Sequence, residues 1–212
     1  LYSAFTYYCG FKINSGEYKL MGLAPYGKPK YVQQIYDHLI DVKKDGSYRM
    51  NQEYFGFLDG SHSINKKFCD LFGGEARKPE SIITSREMDL AASIQVVTEE
   101  IMIKIARHLK ETTGSENLCM AGGVALNCVA NGKIHKENIF KNIWIQPAAG
   151  DAGGAPGSAL VAWHQHFKQP KLNKPTGLDH MKGSYLGPSF TDAEIVSFLD
   201  KNKYPFVAIE DK

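Results

Sequence analysis

The sequence predicts an α/β protein, and three observations carry that expectation. Two segments, residues 117–136 and 143–167, each run from a short apolar stretch through a glycine turn into a helix-compatible stretch, the alternation that builds parallel sheets. Between 88 and 110, Ile94, Val97, Ile101 and Ile105 recur at spacings of 3, 4 and 4, and Leu109 continues the stripe, as an amphipathic helix requires. The 212 residues are 43% hydrophobic and 11% aromatic, enough for a sizeable core and unlike a disordered or collagen-like chain.

Taken in order, residues 1–9 (LYSAFTYYC) contain no Gly or Pro and read as a buried helix ending near Gly10. Asn14-Ser15-Gly16 is a turn and cap, after which 16–29 (GEYKLMGLAPYGKP) reads as a short helix stopped by Pro25. Residues 30–42 return to helical spacing through Val32, Ile35, Ile40 and Val42, and Asp45-Gly46 marks a hairpin-like turn into extended segments over 47–58. The helix at 88–110 turns Glu99, Glu100, Lys104 and Arg107 to water. Next, Asn117–Met120 reads as a strand, Ala121-Gly122-Gly123 as its turn and 124–136 as a helix. Ile143-Trp144-Ile145 is the second strand, and 147–154 (PAAGDAGG) turns the chain into a helix reaching about Phe167. Residues 168–183, with two prolines, two glycines and four lysines, read as a linker. Beyond it, Thr191-Asp192-Ala193-Glu194 is a capping-box pattern, and 205–209 (PFVAI) reads as a strand.

Charge and cysteine usage exclude several classes. Lys and Arg number 25 against 23 Asp and Glu, spread along the chain, so no basic stripe signals nucleic acid. No apolar run approaches the roughly 18 to 20 residues of a membrane-spanning helix. The four cysteines are widely spaced with no CxxC pair, which suits a reducing, cytoplasmic setting better than a disulfide framework or zinc clip. Cys119, in an apolar run, is expected to be buried. The chain opens on Leu1 and closes on Asp211-Lys212 just after an apolar run, and reads as a piece of something longer.

Five residues carry candidate chemistry. Gly122 and Gly123, after a strand and before a helix, suit an anion because glycine lets backbone N–H groups approach closely at a helix N-terminus; a tight structural turn is the competing reading, since neither GxxxxGK[ST] nor GxGxxG is matched. Asn127 follows within the first turn, where an amide donates and accepts towards a ligand or caps the helix. Asp151, among Gly150, Gly153, Gly154 and Gly157, is open to a hard cation or serves as an N-cap. Glu17 either caps the helix it begins or accepts hydrogen bonds from ribose hydroxyls. Lys28 and Lys30 form a solvated rim or attract an anion. His164 and His166, two apart on a helix, point too far from each other to share a metal.

Together, residues 1–29, the run ITSREMDLAASIQVVTEE (83–100), and NLCMAGGVALNCVANGKI with IWIQPAAGDAGGAPGSAL (117–160) resemble the nodulation-type O-carbamoyltransferases, a family that also makes carbamoylated antibiotics. The resemblance implies an actin, sugar-kinase and heat-shock ATPase-like (ribonuclease H-like) domain whose later half is residues 1–167. Residues 168–183 are then a linker, and 184–212 begin a domain similar to threonylcarbamoyl-adenylate synthase. It implies a bacterial enzyme that makes carbamoyl adenylate from carbamoyl phosphate and ATP and passes the carbamoyl group to the hydroxyl of a small molecule or sugar. Carried onto this sequence, Gly122, Gly123 and Asn127 fall in the unit that holds the adenylate, Glu17 in the segment near the ribose, and Asp151 on an aspartate that helps bind a divalent metal, usually iron. The family's metal histidines, in an HHxxHA-type run, are expected upstream of residue 1, and its carbamoyl-phosphate-handling Gly- and Arg-rich run downstream of Lys212, so these residues alone are expected to be inactive. A sugar-kinase-like phosphotransferase and a non-enzymatic nucleotide-binding module are the alternatives.

Overall fold

A computed structural model describes residues 1–58, 60, 62–171 and 181–209, which divide into two units, Leu1–Ala159 and Leu160–Lys212. In the first unit, α1 (Tyr2–Tyr8) leads through a turn to α2 (Glu17–Leu23), and a 3-10 turn, Ala24–Tyr26, holds Pro25 near its start, where the missing N–H costs nothing. α3 (Val32–His38) is shorter than the helical spacing over 30–42 predicts. Ile40 and Val42 instead belong to β1 (Ile40–Val42), which pairs antiparallel with β2 (Tyr48–Met50) across the Asp45-Gly46 turn. Exposed Asp41 between the two apolar residues is the two-residue period of a strand, which the helix reading passed over.

α4 (Lys66–Leu71), which no sequence period announces, starts where the Asn65 side chain accepts from the Phe68 N–H. α5 (Ser85–Thr113) is longer than expected at both ends. It opens on a Thr84/Glu87 capping box and closes on Gly114 in the left-handed region, stop signals that act beyond the apolar stripe. Phe5 and Tyr8 of α1 meet Phe68 edge to face, each with ring centroids 5.3 Å apart. Around them Leu20, Ile35, Leu90, Ile94 and Val97 close one core.

β3 (Asn117–Met120) is followed by a 3-10 turn, Gly123–Leu126, and then by α6 (Cys128–Lys136). The single helix expected over 124–136 is therefore broken at Asn127. β4 (Asn142–Ile145) pairs parallel with β3, Leu118 facing Ile143 and Cys119 facing Trp144. Leu118, Ile134 and Phe140 form a second core with Ala106 of α5. Strand alternation puts Leu118 inside and Cys119 outside, so Cys119 is exposed rather than buried as expected. Gly150 caps a 3-10 turn, Asp151–Gly153, before α7 (Gly154–Val161), with Pro156 in its first turn.

In the second unit a π-helical turn, Ala162–His166, precedes a 3-10 turn, Lys182–Ser184. Residues 172–180 of the expected linker lie outside the described residues. α8 (Asp192–Lys201) begins on the expected Thr191/Glu194 capping box. No strand forms over 205–209: an apolar run becomes a strand only with a ladder partner, and among the described residues nothing pairs with it. The described residues are mixed α/β with two small sheets. No described helix is long and apolar enough to cross a membrane.

Candidate functional site

The parallel register aligns the carboxyl ends of β3 and β4, because Met120 lies opposite Ile145 and the Gln146 N–H donates to the Met120 carbonyl at 3.0 Å. Each strand opens at that edge into its glycine loop. The Gly122 N–H donates to the Ala149 carbonyl at 2.8 Å, so the two loops are tied to each other just past the sheet, two residues beyond Met120 and four beyond Ile145. Gly122 has φ +99 and ψ 161, a conformation essentially closed to residues with a Cβ. Gly153 is needed for a different reason: a Cβ there would stand 2.3 Å from the Ala148 carbonyl oxygen. Around Gly122 and Gly123 the space where a Cβ would project is open. Carboxyl ends of parallel strands are where open α/β sheets take ligands.

Of the five predicted residues, Gly122, Gly123 and Asp151 come together on these paired loops. Asp151 is exposed and is not the N-cap of its turn; Gly150 holds that position. Asn127 is turned inward. It caps α6, its Oδ1 accepting from the Ala130 N–H at 3.0 Å, and its amide exchanges two hydrogen bonds with Gln95. Glu17 is half-buried and does not cap α2, whose N-cap is Gly16. Its Oε1 accepts from the Asn14 N–H and from Ser3 Oγ, both at 3.0 Å. Tyr2, the neighbour of Ser3, donates to Gln95 Oε1 at 3.0 Å, so α1 touches partners of both Glu17 and Asn127. At the start of α6, Cys128 Sγ lies 4.0 Å from Met21 Sδ of α2.

The sequence expects Glu99, Glu100, Lys104 and Arg107 on a wet face of α5; Glu100 and Arg107 are exposed, and the correction falls on Glu99. Glu99 is buried, accepting from Gln95 Nε2 at 2.9 Å and paired with Lys133 of α6. Nearly three turns earlier on α5, Asp89 accepts the Lys28 N–H at 2.7 Å and pairs with Lys30 Nζ at 2.6 Å, while the Tyr31 N–H donates to Ser93 Oγ at 2.9 Å. Lys30 and the Lys28 backbone hold the Asp89 carboxyl below the usual range, and Asp89 in turn holds Lys30 above its own. Lys30 is thus a clamp for the 27–31 segment as well as an exposed cation. The signal for these buried groups was their i, i+4 spacing, 89 with 93 and 95 with 99. Asn131 donates to the Ala125 carbonyl at 2.7 Å, while its Oδ1 is buried without a partner among the described residues.

Among the described residues no three His, Cys, Asp or Glu side chains gather to hold a metal. Asp151 is one exposed donor, and a single carboxylate does not make a transition-metal site, so no chemical step is routed through a metal below. Two open grooves of about 480 and 460 Å³ flank the β1–β2 hairpin, and neither is lined by a residue of the glycine loops.

A parallel strand pair ending in linked glycine loops defines an α/β protein. The chain belongs to the carbamoyltransferase family: residues 1–160 match the family model described as the carbamoyltransferase N-terminus. It is 34% identical to nodulation protein NolO of Bradyrhizobium diazoefficiens, over 81% of this chain and 28% of the relative. With nodulation protein NolNO of Sinorhizobium fredii it shares 34% identity over 81% of this chain and 23% of the relative. An uncharacterized protein of Synechocystis sp. is 62% identical over 94% of this chain and 32% of that protein. The chain thus spans less than a third of the length of these curated relatives. The resemblance to the nodulation-type family stands.

Proposed function

We propose that these residues form one segment of an ATP-dependent O-carbamoyltransferase, in which the loops after β3 and β4 hold the nucleotide portion of carbamoyl adenylate. The observation that carries this reading is the Gly122–Ala149 hydrogen bond at the carboxyl edge of a parallel pair, in a chain whose residues 1–160 match the carbamoyltransferase N-terminus. Open space at Gly122 and Gly123 lets a phosphate come against backbone N–H groups without side-chain interference. Such fixed dipoles stabilise charge on an acyl phosphate and on its leaving group without reorganising.

The strand–loop–helix–strand unit supports placing residues 1–167 in an actin and sugar-kinase-like domain. The family match ending at residue 160 supports reading 168–183 as a linker and 184–212 as the entry to a synthase-like domain. In this scheme carbamoyl phosphate is the donor and the hydroxyl of a small molecule or sugar the acceptor. Glu17 lies towards the ribose through its link to α1, and Asn127 shapes the loop. Asp151 offers one ligand to a divalent metal, iron in the family pattern, with the remaining ligands outside these residues.

The test is turnover by the full-length protein that carries this segment. ATP and carbamoyl phosphate are expected to be consumed together. ATP use with a sugar while carbamoyl phosphate is ignored points to a phosphotransferase, and absence of AMP or ATP-analogue binding by calorimetry points to a non-enzymatic module. An Asp151→Ala variant is expected to contain less metal by elemental analysis; unchanged content removes Asp151 from the ligand set.

A further inference from the structure

The Gly122–Asn127 loop ends at Asn127, where the 3-10 turn gives way to α6 and the backbone takes φ −74, ψ 88. Local bonds hold the turn itself, the Asn127 N–H donating to the Val124 carbonyl at 2.9 Å and Asn131 Nδ2 to the Ala125 carbonyl at 2.7 Å. The direction in which the turn and α6 leave the sheet is held from outside as well, by α5. Gln95 Nε2 donates to Asn127 Oδ1 at 3.1 Å, and Asn127 Nδ2 donates back to Gln95 Oε1 at 3.0 Å. One turn further along α5, Glu99 pairs with Lys133, six residues into the same stretch as Asn127. Two ties from successive turns of α5 therefore set both the position and the rotation of α6, and with them the loop that precedes it.

Gln95 has no spare capacity. Its amide donates to Asn127 and Glu99, and its oxygen accepts from Asn127 and Tyr2, which uses both donors and both lone pairs. Gln95 is 5%, Glu99 4% and Asn127 9% exposed, so the network is dry, and breaking one member leaves the others unpaired at full desolvation cost. Leucine packing would join α5 to α6 without that penalty. A saturated polar network fixes a single geometry, which is what a loop must have to present backbone N–H groups to a phosphate.

We infer that Gln95 and Glu99 are positioning residues for the Gly122–Asn127 loop, acting through Asn127 and Lys133; the inference rests on the nucleotide-binding reading of that loop. The test uses the full-length protein, with AMP and a non-hydrolysable ATP analogue as probes in calorimetry. Gln95→Met keeps the length of the side chain and removes its hydrogen bonds. Asn127→Ser keeps an N-cap oxygen and removes the amide exchanged with Gln95. Each single variant is expected to weaken nucleotide binding about tenfold, and the double variant no further, because both act through the same contact. A merely structural role lowers the melting temperature and leaves Kd alone. Folded variants that bind nucleotide as the wild type does overturn the inference while the nucleotide reading stands. A wild-type protein that binds neither probe overturns both. If Gln95→Met does not fold, Gln95→Asn, one methylene too short to reach, replaces it with the same expected weakening, and unchanged Kd again overturns the inference.

Discussion

The first unit contains two differently built regions on one helix. At the amino end of α5, the aromatic residues of α1 and α4 close on themselves, with Phe5, Tyr8 and Phe68 fully buried. At the carboxyl end, the unit running from β3 through α6 to β4 covers one side with Leu118, Ile134 and Phe140 but leaves Val124, Leu126 and Trp144 exposed. The closed region is where the chain stores packing energy. The open region is where the glycine loops lie, and it borrows its order from α5 through buried polar contacts. The packed aromatic core and the open glycine loops are thus separated along the chain, and α5 connects them.

The largest expected effect breaks the closed region. Phe68→Ala removes a fully buried ring with edge-to-face partners on two sides, and a cost of about 3 to 5 kcal/mol is expected in urea denaturation. A cost below about 1 kcal/mol would show that the aromatic cluster is not the source of stability.

Asp89 comes next, since it clamps the 27–31 segment to α5. Asp89→Ala is expected to cost about 2 kcal/mol and to speed amide exchange at Lys28. The pH dependence has a definite sign. Asp89 is held below its ordinary value in the folded state, chiefly by Lys30 and then by the Lys28 N–H, so its contribution is complete above the ordinary aspartate range and is lost as pH falls through the folded value. Lys30 is held above its ordinary value, first by its hydrogen bond to Asp89; its share is complete below the ordinary lysine range and is lost only as pH rises through the folded value. Asp89→Asn is expected to flatten the acid limb of the stability profile, and an unchanged limb would assign it to other carboxylates.

Gly122→Ala bears on the open region. The substituted residue must hold φ +99 and ψ 161 or move the loop, a cost of about 1 to 2 kcal/mol. Nucleotide affinity is expected to fall by more than stability does, because the loop shifts while the closed core is untouched. Equal losses, by calorimetry and denaturation together, would mean the two regions are not separable.

What the sequence revealed follows the same division. α5 was legible from an apolar period held over many positions, β4 from the alternation about Trp144, and α1 and β3 from short apolar runs that end at glycine turns. The boundary between α3 and β1 was not, since Ile35, Ile40 and Val42 fit a helical spacing until the exposed Asp41 and the partner Met50 are seen. α4 went unread because Lys66–Leu71 is too short for a period to show, although Asn65 is an ordinary capping residue. At the site, Gly122, Gly123 and Asp151 were legible from punctuation alone. The inward turn of Asn127 and the burial of Glu99 depend on Gln95 and Lys133, which lie 32 and 34 residues away from them. Periodicity treats a charged residue beside a helix stripe as wet. Only the partner, brought by tertiary packing, makes burial affordable.

The smallest expected effect tests the openness itself. Trp144 is 45% exposed on the sheet face opposite Ile143, beside Cys119 in register. A half-exposed ring contributes little, so Trp144→Ala is expected to cost under about 0.5 kcal/mol in the 212-residue chain. The measurement is urea denaturation at two protein concentrations a hundredfold apart. A cost above about 1 kcal/mol that grows with concentration would mean that copies of the chain cover this face in solution. A cost of that size independent of concentration would place Trp144 inside a packed surface. Either result would erase the contrast between the two ends of α5, whereas a small, concentration-independent cost leaves the apolar residues around the glycine loops as exposed surface that adds nothing to folding.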